Sequence, residues 1–169
     1  MKYKFIGISV IALISALLLS SCSKNEYIPL EAGTKSCRIE IEYVNAFGES
    51  ILNDKSVINK IKIEGDNSHT IIKFDIKNNR LCFDADLPDQ NDMKWSKDKR
   101  EASGISRMTV RLGRQKVSLR CFIRYIANRP PAVTGGSVIL EEVEYNGQTY
   151  KRSGGAVKIR VHINSEPKV

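Results

Sequence analysis

The 169-residue chain has few of the residues that most often carry catalysis. It contains two histidines, His69 and His162, and one tryptophan, and only 7% of its residues are aromatic. It also lacks a His-x-x-x-His pair, a Gly-x-Ser-x-Gly elbow, a Cys-x-x-Cys pair and a glycine-rich phosphate loop. A catalytic triad would have to use one of the two histidines without a recognisable nucleophile. We therefore expect no catalytic residues, no cofactor and no bound metal.

Long hydrophobic runs are absent after residue 22, but the first 22 residues differ in kind. Lys2 and Lys4 precede an almost unbroken apolar run from Phe5 to Leu19. As a helix this run would be about 22 Å long, shorter than the roughly 30 Å hydrocarbon core of a bilayer. A basic start, a short apolar run and then small residues are typical of a cleaved secretory signal. The sequence predicts a signal peptide over residues 1–21.

The signal ends in Leu19-Ser20-Ser21-Cys22. This tetrapeptide resembles the lipobox of bacterial lipoproteins, in which an apolar residue and two small residues precede an obligatory cysteine. The resemblance implies that Cys22 becomes the mature amino terminus and carries lipid, palmitate included. Several acyl chains hold a protein stably to a membrane, whereas one does so only marginally. The implied location is the outer membrane, through lipid on Cys22.

The face of that membrane stays open. Ser23-Lys24-Asn25-Glu26 resembles in part the acidic signal that exports some lipoproteins of Bacteroidetes to the cell surface, but it has one acidic residue where that signal usually has two or more. The periplasmic and the cell-surface face are therefore both retained. Residues 22–36 lack periodicity and contain Pro29 and Gly33, which predicts a lipidated cysteine followed by a flexible tether.

From Cys37 onwards apolar and polar residues alternate with period two, as in half-buried strands. Asn78-Asn79 and Asn146-Gly147 are hairpin-turn signals. The alternation predicts one β-domain over residues 37–165, either an antiparallel β-sandwich (immunoglobulin-like or transthyretin-like) or a partly open barrel of about eight or nine short strands. Strands are expected near 37–43, 57–64, 70–76, 81–87, 106–112, 117–125, 137–145, 148–151 and 157–163, with a long polar loop over 88–104. Together with the lipobox, this pattern is similar to the small uncharacterised β-rich lipoproteins of Bacteroidetes, a resemblance that implies no site residues.

Three cysteines remain after lipidation: Cys37, Cys82 and Cys121. Because three is odd, at most one intramolecular disulfide can form in a secreted chain. Strand parity directs Cys37 and Cys121 inward, which makes Cys37–Cys121 the first choice. Cys82–Cys121 needs only a bulge to align, and three unpaired thiols are the third alternative.

Four arginines share the predicted solvent side of a hairpin. The first strand carries Arg107 and Arg111 beside Thr109, and the second carries Arg120 and Arg124 beside Phe122. Like charges on paired strands are unfavourable unless something neutralises them. One explanation is a neighbouring acidic strand, with Glu40 and Glu42 or Glu142 and Glu144. The other is an anionic partner: a sulfated or uronic glycan, a lipid phosphate or an acidic protein, with nucleic acid excluded by compartment.

Two further features, at the end of the 81–87 strand and in the long loop after it, have alternative explanations. Asp84, Asp86, Asp89 and Asp92 could supply oxygens to calcium, but the spacing lacks the glycine and final glutamate of an EF-hand, which favours solvated carboxylates. Trp95 could stack on a sugar ring, although packing over the open end of the domain is the favoured interpretation.

These observations favour a membrane-anchored envelope domain that binds or scaffolds a glycan or an envelope protein without catalysis. An alternative is a structural subunit of a surface assembly, in which a sheet edge within residues 137–163 pairs with a neighbouring chain. A cryptic enzyme would need a pocket that gathers Asp84, Asp86 or His69.

Overall fold

A computed structural model of the chain describes residues 33–66, 68–127 and 136–163. The predicted signal peptide, Cys22 and the tether up to residue 32 lie outside the described residues, as do residues 67, 128–135, 164 and 165 of the predicted domain. Within the described ranges, no helix combines the length and the apolar character that crossing a membrane requires.

Strands make up most of the described chain. A four-residue helix α1 (Lys55–Ile58) and a 3-10 turn (Gln90–Asp92) are its helical parts. The strands are β1 (Gly33–Ser36), β2 (Arg38–Val44), β3 (Ile61–Gly65), β4 (Phe74–Lys77), β5 (Arg80–Asp84), β6 (Lys94–Trp95), β7 (Glu101–Leu112), β8 (Gln115–Ala127), β9 (Gly136–Tyr145), β10 (Gln148–Ser153) and β11 (Ala156–His162).

Nine of these strands form a nearly closed, barrel-like sheet in the order β3-β7-β8-β9-β10-β11-β2-β5-β4. The predicted all-β class is confirmed in its partly open barrel form. Strand β10 makes a corner, since Gln148–Lys151 pairs with β9 whereas Arg152 and Ser153 pair with β11. The first strand of this order, β3, approaches the segment that leads into the last strand, β4, through a bridge between Glu64 and Ile71.

The period-two alternation explains which side chains fill the barrel. On β8 the alternate residues Val117, Leu119, Cys121, Ile123 and Tyr125 are buried, and the residues between them face outward. Burying one large apolar side chain contributes about 1.5–3 kcal/mol. The same parity in β2, β3, β7 and β11 produces one continuous core.

The helix α1 replaces the beginning of a predicted strand. The expected strand over 57–64 begins only at Ile61. Asp54 caps α1, because its carboxylate accepts a hydrogen bond of 2.7 Å from the backbone N–H of Ser56. This local capping interaction stabilises a helical turn, because the alternation of apolar and polar residues before Ile61 is too weak to favour a strand.

Residues 33–36 form strand β1, although the sequence predicts that they belong to the tether. Strand β1 runs parallel to the start of β9, with Gly33 opposite Gly136. A Cβ atom on Gly33 would lie 1.6 Å from the carbonyl oxygen of Gly136, and its φ is +134°. Both the close approach and the backbone conformation require glycine here. The glycine that suggests a flexible linker in the sequence is therefore needed for a tight contact between two strands.

The strand directions sort the loops into two ends of the barrel. The chain enters at Gly33, and we call this the entry end; it also contains the β3–β4 connection, the loop after β5 and the Gly154-Gly155 turn. The opposite, far end contains α1, the Asn78-Asn79 turn, the β7–β8 turn and the Asn146-Gly147 turn. Both asparagine turns adopt the predicted positive φ.

Candidate functional site

The four predicted arginines lie on the outer surface of the sheet. Arg107 and Arg111 on β7 and Arg120 and Arg124 on β8 alternate with buried neighbours, as the parity requires. Thr109 shares their side of β7 but is buried, and its hydroxyl donates a hydrogen bond of 2.9 Å to Asp66.

Two of the four arginines are neutralised by carboxylates. Nη1 of Arg120 lies 2.6 Å from Oε2 of Glu144, one of the predicted acidic neighbours. Arg124 makes a bidentate contact to Glu101, at 3.0 and 2.7 Å, and a further bond of 3.2 Å to Glu141. Hydrogen bonds from Arg124, first to Glu101 and then to Glu141, raise the pKa of its guanidinium. Two of these partners, Glu101 and Glu141, were not predicted.

The other two arginines of this surface have no such compensation. Among the described residues, no carboxylate lies within 4.0 Å of Arg107 or Arg111. Glu40 and Glu42, the other predicted acidic pair, lie on β2 and contact Arg80 and Arg160 instead. Two of the four predicted arginines are therefore paired with carboxylates, and among the described residues the other two are not.

A groove of about 470 Å³ crosses the outer face of β7, β8 and β9. Ile105 and Phe122 lie directly opposite each other on β7 and β8 and form its apolar part. A β-bulge in the pairing of β8 with β9 makes Glu141 an extra residue between Leu140 and Glu142. Bulges of this kind redirect side chains, and here both Glu141 and Glu142 line the groove.

The opposite wall of the groove comes from the loop after β5. Asp92 and Lys94 line the groove, and Met93 between them is buried. Met93 and Pro88 pack against Gly104 of β7, where a Cβ atom would lie 2.4 Å from the Met93 sulfur. Because only glycine leaves room for this contact, Gly104 determines how closely the loop lies against the sheet.

Trp95 continues the same loop and packs against the core at the entry end. Its ring meets that of Tyr125 edge-on, with centroids 5.7 Å apart and planes at 75°. This geometry is favourable for an aromatic pair. The predicted packing role of Trp95 is confirmed.

The charges that line the groove are nearly balanced. Lys94 and Arg107 supply donors, and Asp92, Glu141 and Glu142 supply acceptors. No histidine or cysteine is among its lining residues. Arg120 lies over the ring of Phe122 at 5.6 Å, which holds that ring in place beside the groove. The arrangement can bind a molecule with an apolar face and many hydrogen-bonding groups.

The predicted disulfides are not present in the structure. Cys37, Cys82 and Cys121 are free thiols, and all three are buried. Sγ of Cys37 lies 3.8 Å from the carbonyl oxygen of Val138, whereas Sγ of Cys121 lies 3.8 Å from the Met108 sulfur. Parity correctly directs Cys37 and Cys121 inward, but each thiol contacts a different neighbour. Burial raises their pKa values to about 11 and about 12.

The two histidines and the four aspartates are the remaining predicted candidates. His69 lies in the turn after β3 with a φ of 51°, at the entry end, whereas His162 ends β11 at the far end. Asp86 accepts a hydrogen bond from Ser68, and Asp89 accepts one from the backbone of Asn91. Within the ranges that the structure describes, no three His, Cys, Asp or Glu residues are placed to hold a metal ion.

The groove contains residues that the sequence reasoning missed. Ile105 is apolar at an outward position of its strand, which is a readable signal of an exposed apolar surface. Glu141 had no readable signal, because the bulge depends on the pairing of β9 with β8.

Comparisons with known proteins identify no relative for the chain. No family model matches it, and searches of curated proteins and of solved structures likewise give no match.

Proposed function

We propose that this chain is a lipid-anchored protein of the bacterial cell envelope whose barrel binds a ligand without turning it over. The resemblance of Leu19–Cys22 to a lipobox supports the anchor. The observation that supports binding is the groove on β7, β8 and β9, whose volume of about 470 Å³ lies within the usual range of ligand sites.

The groove chemistry favours an uncharged, polyhydroxylated ligand, such as an oligosaccharide. Phe122 and Ile105 offer an apolar surface on which a sugar ring can pack. Asp92 and Glu142 can accept hydrogen bonds from hydroxyl groups, and Lys94 and Arg107 can donate to ring and hydroxyl oxygens. Because these charges nearly cancel, the groove offers no excess positive charge to an anionic ligand, so the ligand class differs from the anionic partner expected for the arginine surface.

The same geometry favours binding over hydrolysis. Glu141, the carboxylate at the bulge, already accepts a hydrogen bond from Arg124, so it is held as an ion-pair partner. Glycoside hydrolysis uses a pair of carboxyl groups, and the ion pair with Arg124 leaves Glu141 poorly suited to be one of them.

Binding can be measured with the mature chain carrying Cys22→Ser, titrated with a panel of neutral envelope oligosaccharides. We expect Phe122→Ala to weaken binding about tenfold, because it removes the stacking surface. Phe47→Ala is the matched control, since Phe47 is 89% exposed on the β2–β3 loop and does not line the groove. The groove assignment would be contradicted if both variants lost the same affinity, or if no oligosaccharide bound. Release of cleaved sugar would contradict the proposal that the ligand is not turned over.

The anchor has a separate test. Mass spectrometry of the amino-terminal peptide of the membrane-extracted protein should find acylated Cys22 as the first residue. Inhibition of the lipoprotein signal peptidase should leave the leader attached, and protease treatment of intact cells should report which face the barrel occupies. An unmodified Cys22 sulfur would contradict the anchor and leave the groove proposal standing.

A second candidate is assembly through a sheet edge, and one observation favours it. Strands β10 and β11 pair only through Arg152 with Val157 and Ser153 with Ala156, so the rest of this seam carries no ladder between them. A neighbouring strand could pair there. This candidate predicts a concentration-dependent oligomer in analytical ultracentrifugation, weakened by Thr149→Asp on β10; a monomer at every concentration would contradict it.

A further inference from the structure

A row of positive charges crosses three adjacent strands at the far end of the barrel. Lys62 on β3 lies opposite Arg111 on β7, and Arg111 lies opposite Lys116 on β8. Arg114 lies beside them in the β7–β8 turn. All four side chains are exposed, and we call Lys62, Arg111, Arg114 and Lys116 the far-end basic surface.

This surface carries no internal compensation. In the described part of the chain, no carboxylate lies within 4.0 Å of any of the four cations, in contrast to Arg120 and Arg124. The nearest acidic residue in the ladder, Glu64, lies opposite Thr109 and not opposite a cation. Adjacent strands are about 4.8 Å apart, so the row places three positive charges across about 10 Å. Directly opposed like charges are unfavourable in a sheet, and an anionic ligand would relieve the repulsion.

We propose that the far-end basic surface binds a polyanionic polysaccharide that carries uronate or sulfate groups. The row is regular, with one cation for each strand that it crosses, which suits a polymer with an anionic group on successive sugars. The guanidinium groups of Arg111 and Arg114 can each donate two parallel hydrogen bonds to a carboxylate or sulfate. None of the four residues lines the groove, so this site is additional to the one proposed above.

The position of the surface argues against the anchoring membrane as its partner. The chain enters at Gly33, and the row lies at the opposite end, about 33 Å along β8 from Lys116 to Ile126. From Cys22 to Gly33 the chain spans at most about 40 Å when fully extended. To place the row on the headgroups, the tether would have to stretch along the whole barrel. This exclusion of the membrane rests on the proposed anchor at Cys22. The argument from the uncompensated charges is independent of that anchor.

The test compares two triple variants with equal loss of charge, in the mature chain carrying Cys22→Ser. The first is Lys62→Gln, Arg111→Gln and Lys116→Gln. The matched control replaces three exposed lysines elsewhere: Lys73→Gln, Lys97→Gln and Lys158→Gln. The probes are polygalacturonate, dextran sulfate, neutral dextran and vesicles of phosphatidylglycerol, and circular dichroism checks that both variants are folded.

We expect the parent chain to bind both charged polysaccharides and not neutral dextran, with an affinity that falls as salt is added. The first triple variant should lose about tenfold in affinity, as expected for three exposed ionic contacts, and the control should change little. Equal losses in both variants would show that only net charge matters and would overturn the proposal. The proposal would also be overturned if the parent chain bound neither polyanion. The same holds if it bound the vesicles more tightly than the polysaccharides through the same residues.

One further variant separates this site from the groove. Phe122→Ala should leave polygalacturonate binding unchanged, because the groove and the row use different residues. If Phe122→Ala abolishes polyanion binding, the polymer occupies the groove and the far-end assignment is wrong. If oligosaccharide binding fails but polyanion binding persists, the groove proposal is contradicted and the far-end basic surface is retained.

Discussion

Replacing Gly104 by alanine tests how the loop that walls the groove is seated. The new Cβ atom would lie 2.4 Å from the Met93 sulfur and 2.9 Å from Cγ of Pro88. Ordinary van der Waals contact begins near 3.4 Å, so Met93 must retreat by about 1 Å and the stiffer Pro88 ring by about 0.5 Å. Both residues are buried, which leaves little room for that movement.

The expected loss of stability in Gly104→Ala is the difference between two opposing effects. Overpacking a well-filled site costs about 1–3 kcal/mol. Glycine within a strand is itself about 0.5–1 kcal/mol less favourable than alanine, and Gly104→Ala recovers that amount. We expect the free energy of unfolding to fall by about 1–2 kcal/mol, with weaker oligosaccharide binding because Asp92 and Lys94 move with Met93.

The assay is urea unfolding of Gly104→Ala, Met93→Ala and the double variant. Met93→Ala alone should cost about 2 kcal/mol, at the lower end for buried methionine. When Met93 is already alanine, Gly104→Ala should lower the free energy of unfolding by at least about 1 kcal/mol less than it does in the parent chain, because the Met93 sulfur is no longer there to clash. Ser103→Ala, on an exposed side chain, is the control. Additive effects within about 0.5 kcal/mol, or an unchanged urea midpoint for Gly104→Ala, would refute the packing argument.

Three other predictions concern the turns, the thiols and the arginines. Asn146→Val should cost about 1–2 kcal/mol in urea unfolding, because Asn146 has a φ of 50° that a β-branched residue resists; Asn146→Gly should be nearly neutral, and equal costs would contradict this. Burial raises the pKa of Cys121 to about 12, so the folded state keeps a proton that the unfolded state loses above about pH 9. Stability should therefore fall between pH 9 and pH 12, by up to about 1.4 kcal/mol per pH unit from this group, and an identical pH slope in Cys121→Ala would count against it. Arg124→Gln should lower the urea midpoint more than Arg107→Gln, because only Arg124 contacts two carboxylates; the reverse order would show that these contacts contribute nothing.

Much of the fold could be predicted because its signals are local. The alternation in β8 identifies its buried side chains, and Asn78-Asn79 and Asn146-Gly147 form the expected turns. The errors also have local causes. Asp54 stabilises a helical turn where weak alternation indicated strand, and Gly33 enters a close strand contact although its composition indicated a tether.

The candidate site was less predictable, because it depends on which strands become neighbours. Parity placed Arg107 and Arg120 on one face, but it could not assign Glu144 to Arg120 or Glu101 to Arg124. The groove required a bulge at Glu141, and the far-end basic surface required β3 to pair with β7 in a register that puts Lys62 opposite Arg111.

The sequence by itself determined which side of each strand faces the core and where the hairpins turn, because both depend on residues close together in the chain. Only the tertiary structure decided that the sheet curls into a partly open barrel, that β1 and β11 pair in parallel with β9 and β2, and that three cations meet in one row. The physical reason is that strand neighbours and their register are selected by closing the whole core at once. A short stretch of sequence constrains its own alternation and leaves its distant partner undetermined.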